Sequence, residues 1–193
     1  DVYKRQVLVD EGVPLVVGDI VLEIQRKTLE KPEIYFGLET EVRISEQMPV
    51  GESTGVDVPG QLWKRYHMEK APIEANLNTT VEMGMSHTEG TAQNLFTYFA
   101  GGLVQNIPDR LQDGFVEREL SAGEYIVCRV EAENFEDLVT VALDQASKYL
   151  FGIWLPHHNL TTEPFSAEKY YRDLEGMACM EIWVKPLPLE NKC

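Results

Sequence analysis

From Ile34 to Ile44 the chain alternates with a period of two. Ile34, Phe36, Leu38, Thr40, Val42 and Ile44 fall on one side, and Tyr35, Gly37, Glu39, Glu41 and Arg43 on the other. Successive side chains of a strand point to opposite faces, so this run predicts a long strand with one apolar and one mostly polar face. Pro32, just ahead of it, suits a strand start. Such a strand needs neighbours for its backbone and a layer over its apolar face.

Other segments supply both. Val13 to Ile24 is a β-rich run broken by Gly18-Asp19, read as one or two strands. Pro49 to Pro59 reads as a loop. From Asp57 to Glu69, Val58, Leu62, Trp63 and Tyr66 recur at helical spacing, with Pro59 near the first turn. Val81, Met83 and Met85 alternate as a strand, and Leu95 to Ala100 forms another, ended by Gly101-Gly102. The second half repeats the order. Strands are expected at Phe115 to Leu120 and Tyr125 to Glu131. A helix follows, opened by Asn134 with Asp137 three residues on, and limited by Pro156. Its face of Phe135, Leu138, Val139, Ala142, Leu143, Ala146, Tyr149 and Leu150 is wide enough to pack on a sheet. Phe165 to Tyr171 fits a strand or a short helix, and Cys179 to Lys185 is a strand that Pro186 ends. The expected fold is therefore α+β: duplicated strand-helix-strand-strand modules forming an antiparallel sheet, with the helices on one side. Module one covers about 30–102 and module two about 114–187, within a domain 30–193 preceded by an extension, 1–29.

Thirty-two acidic against seventeen basic residues give a net charge of -15. A nucleic-acid surface carries a basic patch or stripe, and here Lys4-Arg5 and Arg26-Lys27 are isolated, so no direct nucleic-acid contact is expected. Three cysteines, Cys128, Cys179 and Cys193, lie too far apart for a zinc or redox pair. His67, His87, His157 and His158 have no ligand spacing beyond the adjacent pair. No metal and no cofactor are expected, and no glycine run follows a strand with phosphate-loop spacing. Without an 18-residue apolar run or a signal peptide, the expected location is the cytoplasm, with no membrane contact.

The last strand carries the strongest functional signal. Met180, Ile182 and Val184 suit packing on a helix, which leaves Glu181 beside Trp183 on the opposite face. A carboxylate buried there needs a partner, a proton or a cationic ligand, and an indole completes a cationic site through its ring face. The alternative is a solvated face with Glu181 paired across strands, Arg129 being a candidate. Trp63, Tyr66, Phe99 and Tyr125 could line the same space or belong to the core. Glu168 and Tyr170 share a face if their segment is a strand.

Several short motifs, in order, resemble the GyrI-like family of effector-binding domains, found in AraC-type and MerR-type regulators and as free-standing proteins. They are Glu30-Lys31-Pro32 leading into Tyr35 to Leu38, Trp63, Phe96 to Gly102, Glu119 to Val127, and Met180 to Pro186. The resemblance implies a cleft between two modules that takes aromatic or hydrophobic ligands, often cations, over a carboxylate matched here by Glu181. Trp183, Tyr125, Trp63 and Tyr170 are the wall candidates. It implies a binder rather than an enzyme, acting as a regulator's sensor or alone, as a homodimer or with a DNA-binding domain outside these residues. A family branch that hydrolyses cyclopropane-bearing genotoxins through acidic residues, here Glu181 or Glu168, is the enzymatic alternative. An acidic protein inhibitor of a DNA-associated enzyme is the other.

Overall fold

The computed structural model describes residues 7–43, 58–88, 94–172 and 178–189. The loop expected at 49–59 lies largely outside them. In chain order the strands are β1 (Leu15–Val17), β2 (Ile20–Leu29), β3 (Glu33–Arg43), β4 (Leu77–His87), β5 (Leu95–Val104), β6 (Val116–Leu120), β7 (Gly123–Ala132), β8 (Leu160–Thr162), β9 (Phe165–Tyr171), β10 (Ala178–Val184) and β11 (Pro186–Pro188). Helix α1 is Val58–Glu69, and α2 runs over 135–157. Nine strands form one antiparallel sheet in the order β1-β2-β7-β10-β9-β4-β5-β3-β6, while β8 and β11 pair separately. The six central strands are arranged symmetrically. β7-β10-β9 and β4-β5-β3 are the same strand-helix-strand-strand order reflected about the β9–β4 seam.

Register fixes which side chains share a face. Ile24, Cys128, Ile182, Glu168, Gly84, Ala100 and Leu38 are successive partners in one row across the sheet. Both helices rest on this face. Leu138, Ala142, Ala146, Leu150 and Trp154 of α2 bury Ile24, Cys128, Met180 and Ile182. Leu62 and Tyr66 of α1 bury Phe36, Leu38, Tyr98 and Ala100. The Asn134 side chain caps α2, accepting from the Asp137 amide at 2.9 Å.

Three features depart from the sequence pattern. β2 extends to Leu29 and is zipped to β7 from Val21↔Glu131 to Leu29↔Gly123, so residues 20–29 are sheet rather than extension. Helix α2 continues through Pro156 to His157, with the proline following directly on a π-turn. It also contains two π-turns, at Leu138–Ala142 and Leu150–Trp154, each of which rotates its apolar face. Phe135, expected on that face, stands 62% exposed.

The opposite face has no helix, yet Tyr35, Met83, Met85, Phe99, Leu120, Tyr125, Val127, Ala167 and Trp183 are buried on it. Chain connections explain why. Three residues, 30–32, join β2 to β3, and two residues, 121–122, join β6 to β7, although each connection links opposite ends of the strand order. The sheet must curl until those ends meet. Gly123, at the corner, has φ +139°, a conformation that side-chain-bearing residues rarely adopt. The curl is confirmed by Lys169 of β9, whose Nζ lies 2.6 Å from Glu33 of β3. In a flat sheet those strands, three apart, would stand about 14 Å from each other.

The tightest point is the cross-strand pair Gly37 and Gly101. A Cβ on Gly37 would lie 2.0 Å from the Ala100 carbonyl oxygen. Gly37→Ala is therefore expected to destabilise the fold by about 2 kcal/mol or more, as forced overpacking does. Urea unfolding measures this, and a loss within 0.5 kcal/mol, roughly the scatter of surface substitutions, would show that the curl tolerates the methyl group.

Candidate functional site

The helix-side face of the seam is built from unusual residues. Its cross-strand rows are Ser86 with Ser166, Gly84 with Glu168, and Glu82 with Tyr170. None is aliphatic, so apart from the Tyr170 ring the seam gives a helix nothing apolar to bury. Helix α1 instead rests on β3 and β5, and α2 on β7 and β10. Between the helices runs a strip of sheet with a polar floor.

Glu168 stands at that floor. Its Oε2 accepts from the Tyr170 hydroxyl at 2.8 Å and from the Tyr98 hydroxyl at 3.3 Å. Trp63 of α1 donates its indole N–H to the Tyr98 oxygen at 3.0 Å, which completes a chain from helix to carboxylate. Gly84 makes the arrangement possible, because a Cβ there would lie 2.2 Å from the Tyr98 hydroxyl. The Trp63 and Tyr170 rings meet edge to face across the seam at 5.7 Å, and Phe135 lies 6.2 Å from Tyr170. Such a pair is worth about 1 kcal/mol.

Beside these rings sits Glu82, 5% exposed. It binds His67 Nε2 at 3.0 Å, Lys70 Nζ at 3.2 Å and Arg172 Nη2 at 2.6 Å. Burial alone would raise its pKa, but hydrogen bonding and charge from His67, Arg172 and Lys70 outweigh burial and hold it below the ordinary carboxylate value.

Glu181 occupies a different environment inside the curl, 4% exposed. It accepts from Lys27 Nζ at 2.5 Å, the Tyr171 hydroxyl at 2.8 Å and Trp183 Nε1 at 2.9 Å. Arg129, the partner suggested by the strand pattern, pairs with Glu131 instead, at 2.6 Å. Lys169 lies 3.8 Å from the Trp183 ring centre, and burial draws its pKa below the usual value. Carboxylates and ammoniums thus alternate around Trp183, and the network satisfies itself.

The eight candidates therefore do not form one site. Trp63, Tyr170 and Glu168 meet at the seam between the helices. Tyr66 is buried beneath α1, its hydroxyl lacking a partner among the described residues. Glu181, Trp183, Tyr125 and Phe99 lie inside the curl. Sequence reasoning passed over Tyr98 and Gly84. A glycine in an alternating strand was the available signal, since it marks a close approach by another group. Among the described residues there is no cluster suited to a metal ion, and no helix is long and apolar enough to cross a membrane.

The GyrI-like small molecule binding domain, as a family model, matches residues 23–185. The chain belongs to the GyrI-like family. No curated protein gives a significant sequence match to this GyrI-like chain, but solved structures share its fold. An integron cassette protein from the mobile metagenome of Vibrio cholerae is 14% identical over 85% of this chain and 95% of its own, with TM-score 0.61. A putative bacterial transcription regulation protein from Staphylococcus aureus MU50 is 15% identical over 85% and 97%, with TM-score 0.59. SAV2435, solved bound to tetraphenylphosphonium, is 16% identical over 87% and 96%, with TM-score 0.62.

The Glu181 network makes a testable statement about stability. Burial raises the Glu181 pKa, but the hydrogen bonds from Lys27 and Tyr171 and the charge of Lys27 outweigh it, leaving a depressed value. A depressed carboxylate stabilises the fold above its unfolded pKa, about 4.3, and that contribution is lost as pH falls through the folded value. Glu181→Gln should cost about 3 kcal/mol at pH 7, with the gap to wild type narrowing below about pH 4. Urea titrations at both pH values check this, and a gap independent of pH would contradict it.

Proposed function

We propose that this GyrI-like domain binds an aromatic organic cation in the cleft between α1 and α2, with Glu168 as the recognising carboxylate. The observation that carries this reading is the Trp63–Tyr98–Glu168–Tyr170 cluster, a carboxylate held by phenol hydroxyls beneath aromatic rings. Ring faces and a carboxylate attract the same kind of guest, a flat or globular cation with apolar substituents. The tetraphenylphosphonium bound by SAV2435 is such a molecule and supports the reading by analogy. Glu181 then serves the fold, because its three donors already satisfy it. Binding of this kind suits a sensor of a small effector in transcription regulation or a free-standing binder, and both uses rest on the same cleft.

Calorimetry with tetraphenylphosphonium, and with neutral triphenylphosphine oxide as control, tests the assignment. The cation should bind and the neutral compound should bind at least tenfold more weakly. Glu168→Gln should weaken the cation by about tenfold, or 1.4 kcal/mol, while folded Glu181→Gln stays within about twofold of wild type. The reverse pattern, with Glu181→Gln losing affinity and Glu168→Gln keeping it, would move the site into the curl.

A further inference from the structure

The helix-side face of β9 carries, in order, Glu168, Tyr170 and then Arg172 just past the strand end, tied to Thr80 through its amide. Each lies two positions from the next, so a carboxylate, a phenol ring and a guanidinium lie along a line of about 13 Å. Helix α1 matches that line from above, with Trp63 near Tyr170 and His67 one turn further on. The His67 ring is 5.6 Å from Trp63, and its Nε2 is 3.0 Å from Arg172 Nη2.

In a chain with 32 acidic and 17 basic residues, the basic end gathers two cations, Lys70 and Arg172, and the imidazole of His67 around one carboxylate, Glu82. One of them would neutralise it, and Lys70 is the most enclosed of the three. Glu74, 3.8 Å from Lys70, offsets part of that charge on the solvent side. Arg172 uses Nη2 for Glu82 and His67, and its side chain is 51% exposed. A guanidinium presents five donors in a planar fork that fits a carboxylate edge.

We propose that the ligand of this domain is amphoteric: an aromatic molecule whose cationic end meets Glu168 and whose carboxylate meets Arg172 and His67. The inference rests on the cleft reading above and adds the second charge to it. A molecule carrying both charges is close to neutral overall, so the field of a protein with net charge -15 does not repel it as it would a simple anion.

The probes are 4′-(aminomethyl)biphenyl-4-carboxylic acid and its methyl ester, which share the rings and the ammonium and differ in the free carboxylate. By calorimetry the wild-type protein should bind the acid about tenfold more tightly than the ester, the size of a charge-assisted hydrogen bond. Arg172→Gln should bring the acid-to-ester ratio close to one, and Glu168→Gln should weaken both compounds. The wild-type comparison needs no variant, so a poorly folding Arg172→Gln protein leaves the test intact. If the ester binds as well as the acid while Glu168→Gln still weakens both, the second charge is refuted and the cleft stands. If neither compound binds, or Glu168→Gln changes nothing, the cleft reading fails and this inference with it.

Discussion

Two short connections, residues 30–32 and 121–122, tie together strands that lie at opposite ends of the sheet order. A flat sheet cannot satisfy them. β2 and β3 act as one long strand with a corner, as do β6 and β7, and the ladders Leu29↔Gly123 and Glu33↔Leu120 meet at that corner. Curling encloses one face without help from any helix, which is why Tyr35, Tyr125 and Phe99 are fully buried there. It also separates the two faces chemically, because side chains inside the curl and those beneath the helices lie on opposite sides of the sheet.

That separation assigns the charged groups. Inside, Glu181 and Glu33 are matched by Lys27 and Lys169, and the buried charges stabilise one another. Removing one member of such a set costs several kcal/mol, whereas the set as a whole adds specificity more than stability. On the helix side, the two modules bring together side chains that neither module could hold alone. β9 and β4 come from different modules and meet at the seam, so Glu168 of one is bonded by Tyr98 of the other, which itself accepts from Trp63. That cluster is a property of the duplication.

Much of the fold was legible because period-two alternation survives in the sequence: β3, Met83 with Met85 in β4, and Met180 to Val184 in β10 all read correctly. Face assignment was legible only within a strand. Met180, Ile182 and Val184 do face α2, and Glu181 does face away from it. Whether Glu168 joins Glu181 or Ile182 depends on the register between β9 and β10. That register places Glu168 opposite Ile182, and nothing in a single strand's pattern reports it. Lys27 was equally hidden. It reaches Glu181 across the intervening strand β7 from 154 residues away in sequence, through a curl that only the connections reveal. Phe135 misled for a local reason, since the π-turn at Leu138–Ala142 shifts the phase of α2 and a strict 3.6-residue count carries the ring to the wrong side.

The protein's three tryptophans sit in three different compartments: Trp63 on α1 beside the seam, Trp154 on the buried face of α2 and Trp183 inside the curl. Their indole N–H groups bond to Tyr98, the Val9 carbonyl and Glu181 respectively, so each reports its own surroundings. Proton–nitrogen correlation spectra recorded during a titration with tetraphenylphosphonium would follow all three at once. Binding between the helices predicts that the Trp63 resonance moves with ligand concentration while those of Trp154 and Trp183 stay near their starting positions. Movement of Trp183 with Trp63 unchanged would contradict the account and place the ligand inside the curl, beside Glu181.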